Sequence, residues 1–272
     1  MDRIGIERLC VFGMPPVPFV TLAADLGCHF IGVGLSAMRY YNPHGYPDWS
    51  LKDDPKLCRE MIAAMRDRDV SISLCEGFSI RRGVDVRDQA ADLDLVHELG
   101  GRRINAISLD RDMGRTLDGF AVIAELADER GIEVTTEIGL GPITGMAPAL
   151  TAVRHVAQPN FRILIDTMHF FRLGGTVGEV VAAGPETIGY VQLCDAPLAS
   201  DFATYEEEAL HERRVPGSGE LPLREFLAVV PGDVVLSLEV PQRSLAESGL
   251  GPYERVSLAV EAARRLLADA TC

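Results

Sequence analysis

The 272-residue sequence contains no apolar run that approaches the ~20 residues a membrane span requires. Nor does it open on a basic-then-apolar leader: it begins Met1, Asp2, Arg3, Ile4, Gly5, Ile6, and a cytoplasmic protein is expected. The six cysteines, Cys10, Cys28, Cys58, Cys75, Cys194 and Cys272, are scattered without a CxxC pair. That spacing argues against disulfides and a thiolate zinc site, and for small buried hydrophobes. No GxGxxG follows the first apolar run, which counts against a dinucleotide-binding fold. Cations are in the minority, 26 Lys and Arg against 40 Asp and Glu, for a net charge of −14. Such a surface repels phosphate backbones and offers no basic stripe, so nucleic acid is not expected as a partner. Linkers, low-complexity tracts and close repeats are also missing, so 1–272 reads as one domain.

What the chain does have is a regular alternation. Apolar β-type runs fall near 6–12, 29–35, 70–76, 103–109, 132–138, 162–166, 187–193 and 233–240. Helical-period stretches fit between them, near 16–26, 53–68, 86–99, 115–129, 146–157, 176–183, 222–230 and 252–269. Phe120, Ile123 and Leu126 share one helical face, as do Val256, Val260, Ala263 and Leu267. Eight strand–helix units predict an α/β protein, a single (β/α)8 TIM barrel, a fold of about 250 residues. A doubly wound open sheet is the competing arrangement, since alternation alone does not separate the two.

Four consecutive strands end in the same way. The segments ending at Glu137, Asp166, Gln192 and Glu239 are apolar runs closed by a polar, oxygen-bearing side chain. Side chains alternate across a strand. Thr135 and Glu137 therefore share a face, as do Leu164 with Asp166, Tyr190 with Gln192, and Val235 and Ser237 with Glu239. The opposite faces are apolar or nearly so and suit packing under helices. The polar-ended faces then point into the barrel, at the C-terminal mouth where active sites of this fold sit. Carboxylates crowded there repel, and burying them unpaired is costly. One divalent metal held by Glu137, Asp166, Gln192 and Glu239 relieves both problems, and an all-oxygen set suits Mn2+ or Mg2+ better than Zn2+. The structural counter-reading is a buried network in which Arg or Lys pairs with the same carboxylates.

Two long loops, 36–51 and 194–220, would also lie at that mouth. The first carries Arg39, Tyr40, Tyr41, His44, Tyr46 and Trp49, a composition that fits an ordered lid. Pro216, Gly217, Ser218 and Gly219 read as a tight turn, and Asp195 as a side chain bonded to loop backbone. Glu76, at the end of the third run, receives no role.

The chain resembles the xylose isomerase-like TIM barrels. That family spans sugar isomerases and epimerases of the tagatose-epimerase type, inosose dehydratase and metal-dependent apurinic-site endonucleases. The likeness rests on Glu137 in Thr-Thr-Glu-Ile-Gly, Asp166 with His169, Gln192 with Asp195, Arg214 before Pro216-Gly217-Ser-Gly219, and Glu239 in Ser-Leu-Glu-Val-Pro. It covers nearly the whole chain. The sequence departs from the family at Gln192, where histidine is usual; an amide oxygen favours Mg2+ or Mn2+, or a weaker site. The endonucleases carry further zinc-binding histidines. Here His29, His97 and His155 fall away from the mouth, so DNA repair is disfavoured.

The resemblance implies a metal-dependent isomerase or epimerase of a keto sugar or related polyol. In it Glu137 and Glu239 would exchange protons through an enediolate. His169, Arg214 and Trp49 would contact substrate, with Tyr40, Tyr41 and Tyr46 available to stack on a ring. Arg213 stands beside Arg214, and either suits the substrate contact. A dehydratase or lyase acting on a cyclic polyol or a dehydroshikimate-like acid is the alternative outcome of the same chemistry. A metal-binding, non-catalytic subunit is the third reading. A homodimer or homotetramer is expected by analogy with the family.

Overall fold

The structure is a computed structural model that describes residues 3–38, 41–200 and 202–270. Arg39, Tyr40 and Cys272 lie outside the described residues. Eight strands close a barrel in sequential order. They are β1 (Ile4–Glu7), β2 (Phe30–Gly34), β3 (Ser71–Ile80), β4 (Arg103–Ser108), β5 (Glu133–Glu137), β6 (Phe161–Asp166), β7 (Ile188–Leu193) and β8 (Leu236–Leu238). Every pairing is parallel, and β8 pairs with β1 through Ile4–Leu236 and Ile6–Leu238 to complete the ring. The open sheet is thereby set aside in favour of the TIM barrel.

Eight helices stand close to the expected places: α1 (Pro16–Asp25), α2 (Pro55–Arg68), α3 (Ala90–Glu98), α4 (Met113–Asp128), α5 (Met146–Val156), α7 (Val177–Ala183), α9 (Leu223–Leu227) and α11 (Pro252–Ala270). Three more occupy segments read as loop or given no element: α6 (Thr167–Arg172), α8 (Tyr205–His211) and α10 (Arg243–Glu247). Local chemistry explains the starts. Asp54 accepts from the amides of Lys56 and Leu57 at the head of α2, and Asp112 from that of Arg115 at the head of α4. Thr176 and Glu179 form a reciprocal capping box on α7.

The core has two layers. Phe120, Ile123, Phe161, Val256 and Val260 lie between strands and helices, fully or almost fully buried. Each buried side chain of this kind contributes about 1.5–3 kcal/mol of transfer free energy. Inside the ring, Leu74, Leu164 and Tyr190 form a separate apolar cluster with Val235 against it. Leu164, Tyr190 and Val235 are the inward positions that strand parity assigns. The inner cluster plugs the barrel floor, so the polar ends above it form a cup and not a pore.

The first strand is shifted from its expected place. It spans Ile4–Glu7, and Arg8–Val11 turn as a 3-10 helix that ends at Phe12 in the left-handed region. The apolar run 9–12 is buried by that turn against the barrel, which is why its composition resembles a strand. The shift moves Glu7 from the start of a strand to its end.

Candidate metal and active site

Seven strand positions converge on the mouth. Glu7, Glu76, Asn105, Glu137, Asp166 and Gln192 come from β1, β3, β4, β5, β6 and β7, and Glu239 follows β8 directly. All but Glu76 are buried. Asp166 also caps α6: its Oδ1 accepts the His169 amide at 2.9 Å, which turns the chain so that His169 faces the cup. His169 Nε2 lies 3.4 Å from Glu137 Oε1, and its Nδ1 is hydrogen-bonded to the Tyr205 hydroxyl. Glu137 Oε2 accepts the Asn105 amide at 2.9 Å.

The other side of the cup is organised by Arg213. Its Nη1 contacts Asp166 Oδ2 and lies 3.0 Å from Glu239 Oε2, while its Nε donates to the Ala209 carbonyl. Gln192 Nε2 donates to Glu239 Oε1 and Glu76 Oε1, both at 3.2 Å. Glu76 Oε2 in turn accepts from Arg8 Nε at 2.7 Å. Below, Glu7 Oε1 accepts from Tyr190, whose hydroxyl is 2.8 Å from Ser73 Oγ.

One guanidinium among several buried acids divides them unequally. Burial works against the Arg213 charge, but Asp166 and Glu239 outweigh it and hold the group protonated. Burial pushes Asp166 up, yet Arg213, His169 and the capping amide together bring it down to about 2. Burial outweighs the lowering by Arg213 at Glu239 and, with the acids Glu76, Asp166 and Glu7, drives it well above the carboxylate range. Burial, then Asp166 and Glu76, pushes Glu137 up to about 8. Glu7 is also raised to about 8, by burial first and Glu76 second. Burial lowers His169, so its ring is neutral near pH 7.

The cup opens into a cavity of about 480 Å³ whose walls include Glu137, His169, Arg213, Glu239, Phe78 and Met38. Loop 194–220 forms its cover, through Tyr205, Glu206, Ala209 and Leu210 of α8. Loop 36–51 contributes Met38 to the wall. Trp49 instead packs against the core, its indole N–H donated to the Gly13 carbonyl at 3.1 Å. Tyr41 donates to Glu247, and Tyr46 packs on the core. Neither tyrosine lines the cavity, nor does Trp49.

The two adjacent arginines are separated by backbone geometry. Residues 212–214 run extended between two partners: Arg213 donates its amide to the Pro241 carbonyl, and Arg214 exchanges both backbone bonds with Asp195. Successive side chains of an extended run point to opposite sides. Arg213 therefore turns inward and is 5% exposed, while Arg214 turns outward towards the Ser218 carbonyl. Asp195 binds loop backbone, accepting the amides of Ala196, Gly217 and Leu221.

Glu7, Glu76, Asn105, Arg213 in its inward role and Tyr205 are site members to which the sequence alone assigned no place. A signal for α8 was present: Thr204 followed three residues later by Glu207 is a helix-start pattern, and Thr204 accepts the Glu207 amide. No local signal marks Asn105, whose partner comes from the next strand.

The residues present fit a divalent cation. The ligand atoms of Glu137, Asp166 and His169 lie within 4.8 Å of one another. Among the described residues the buried Oε1 of Gln192 has no hydrogen-bond partner, and an unpaired carbonyl oxygen among acids is a ready cation ligand. Amide N and O are interchangeable by a half-turn, so this oxygen also reaches the position its nitrogen occupies between Glu76 and Glu239. Whether imidazole replaces or joins the all-oxygen set decides between the metals: His169 favours Zn2+, the oxygens Mn2+ or Mg2+.

Residues 20–268 match the model of the xylose isomerase-like TIM barrel family, and the chain belongs to it. A curated relative, a 3-dehydroshikimate dehydratase of Pseudomonas aeruginosa, is 29% identical over 62% of this chain. The chain spans 29% of that relative's length. Among solved structures, the IolI protein with a bound zinc atom superposes with a TM-score of 0.81 at 15% identity, covering 99% of both chains. A D-psicose 3-epimerase with D-tagatose, from Clostridium cellulolyticum H10, gives 0.72 at 14% identity over 98% of this chain and 99% of its own. Both likenesses concern the fold. No helix among the described residues is long and apolar enough to cross a membrane.

Proposed function

We propose that the chain is a metal-dependent dehydratase of a cyclic β-hydroxy ketone bearing a carboxylate, the class to which 3-dehydroshikimate belongs. The observation that carries this reading over sugar epimerisation is the inequality of Glu137 and Glu239. An epimerase of the kind the family contains exchanges protons between two carboxylates on opposite faces of its substrate. Here Glu239 has both oxygens engaged, one by Arg213 and one by Gln192. Glu137 has no arginine or lysine partner among the described residues, and its Oε1 lies towards His169 at a distance long for a hydrogen bond. One free base suits elimination better than two matched ones. Arg8, Arg81 and Arg213 in the cavity wall suit an acidic substrate, and the dehydratase name of the curated relative agrees.

The residues act as follows. Asp166, Gln192, Glu239 and Glu137 would hold a divalent cation, which would supply Lewis-acid polarisation of the substrate carbonyl and favour the ionised form of these carboxylates. Glu137 removes the proton α to the carbonyl. The electron pair forms the ring double bond as the β C–O bond breaks, and Glu137 returns its proton to the departing oxygen, so one water is lost. His169 Nε2, beside Glu137, holds that oxygen. Tyr205 fixes the ring: its phenol, kept protonated by burial, donates to Nδ1 and leaves the imidazole proton on Nε2. Phe78, Ile107 and Leu140 offer apolar surface to the substrate ring.

The test is direct. Protein loaded with Mn2+ or Mg2+ is given 3-dehydroshikimate and the appearance of 3,4-dihydroxybenzoate is followed by absorbance. No product, together with exchange of the α-proton of a keto sugar in D2O, would replace this reading by the epimerase. Neither reaction in a protein that binds metal would leave the non-catalytic subunit.

A further inference from the structure

We infer that Arg213 is a resident cation that exchanges with the metal, and that its release by the metal prepares the cavity for an anion. This rests on the metal-site reading above. Each of two proposed carboxylate ligands has one oxygen already engaged elsewhere. Asp166 has two: Oδ1 caps α6 through the His169 amide, and Oδ2, the freer of the pair, is held by Arg213. Glu239 has two: Oε1 takes the Gln192 amide, so Oε2 is left, and Arg213 Nη1 holds that too at 3.0 Å. The same guanidinium nitrogen thus covers the accessible oxygen of two proposed ligands. A metal bridging those two oxygens would take the place of Nη1, and two cations at contact distance repel, so metal entry moves the guanidinium away.

It has somewhere to go. Arg213 is part of the cavity wall, and its Nε is tethered to the Ala209 carbonyl of α8, on the cover side of the cavity. A rotation about that tether carries the Nη groups from the carboxylates towards the substrate. There a planar fork of donors suits a carboxylate or an oxyanion. The exchange gives an order: metal first, anionic substrate second. It also accounts for an arginine buried among acids in a cup built to take a cation. Before loading, one guanidinium compensates charge that would otherwise repel in a buried site.

The experiment compares wild type with Arg213→Met and Arg213→Lys, using Mn2+ and Mg2+ by calorimetry and thermal melting in chelator and at saturating metal. Exchange predicts that Arg213→Met binds Mn2+ at least about tenfold more tightly, since the competent arrangement is no longer a minor population. It predicts that Arg213→Met melts below wild type in chelator and that the gap closes at saturating Mg2+. A variant that folds only with metal gives the same answer. Arg213→Lys, with one point charge for two oxygens, falls between. A melting gap that persists at saturating metal would show that arginine and metal are held together, and overturns the exchange. So does unchanged or weaker Mn2+ affinity in Arg213→Met. Binding of Mn2+ to Arg213→Met but not to wild type would make Arg213 a permanent occupant and also overturns it. Binding by no form sinks the metal-site reading itself, a distinct result. In the second arm, 3,4-dihydroxybenzoate binds the loaded wild type and not the chelated one; equal binding to both refutes the release.

Discussion

The two sides of the cup carry the same kind of acid in different company. On the β8 side, Glu239 is met by a guanidinium and an amide, one on each oxygen. On the β5 side, Glu137 is met by an amide and a neutral imidazole. Both sit at strand ends, both are buried, and both are pushed above the usual carboxylate range. What separates them is the freedom of an oxygen to meet a substrate. Residue type and position in a barrel therefore do not settle the role of an acid; the neighbours on adjacent strands and loops do.

Neutralising each acid in turn separates the two sides of the cup most strongly. Glu137→Gln is expected to lower kcat by about 10³-fold or more, within the range for removal of a general base. Its melting temperature should hold or rise, because a buried carboxylate is gone. Glu239→Gln is expected to act chiefly through metal affinity, with kcat recovering in part at high Mn2+. Steady-state kinetics across a Mn2+ series decides the matter. Equal, metal-independent losses in both variants would make the two acids equivalent and favour epimerisation.

A smaller effect attends Tyr205→Phe. Without the phenol the His169 proton is free to move to Nδ1, so kcat should fall about tenfold with little change in KM. A change confined to KM would instead make Tyr205 a substrate contact.

Glu7, at the end of β1 and below the other acids, is buried beside Tyr190. In the folded protein Glu7 keeps its proton up to about pH 8, whereas the unfolded chain releases it near the ordinary value of 4.5. Between those values the unfolded state binds fewer protons, so stability falls as pH rises, by up to about 1.4 kcal/mol per pH unit for one such group. Denaturant titrations of chelated protein from pH 5 to 8 should show this fall, and Glu7→Gln should make it shallower. A slope unchanged by Glu7→Gln would place the titration elsewhere.

The smallest effect is expected at Trp49. Trp49→Phe removes the bond to Gly13 and should cost about 1 kcal/mol of stability. kcat/KM should stay within about twofold, the outcome for a side chain that packs loop 36–51 onto the core. A large rise in KM would return Trp49 to the substrate.

The barrel itself was legible because its signals are repetitive. Strand parity alone put Leu164, Tyr190 and Val235 inside the ring, and the same parity brought Glu137, Asp166, Gln192 and Glu239 to one end. What parity could not convey was the order of contacts around that end. Choosing between Arg213 and Arg214 needs the pairing of 212–214 with Asp195 and with 241–242, a register fixed by residues far along the chain. Glu7 was hidden by the apolar turn after it, which lengthened the apparent strand in the wrong direction. Tyr205 was hidden in a long loop, although Thr204 and Glu207 announced its helix. Local rules found the elements; the partners of buried charges depend on distant ones.

Strand β2 has a quieter part in this. A Cβ built on Gly32 would lie 1.6 Å from Glu7 Oε2, and one on Gly34 would lie 2.1 Å from Arg8 Nη1. The buried acid at the end of β1 and the arginine of the wall both extend into space that β2 leaves blank. Sequence change across this pair of strands is therefore ordered by cost. A side chain arriving at 32 while Glu7 remains must push the Glu7 carboxyl from its place beside Tyr190, whereas one arriving after position 7 has become small does not. Among related chains, bulk at position 32 should then appear chiefly where position 7 is small, a dependence between register partners on adjacent strands.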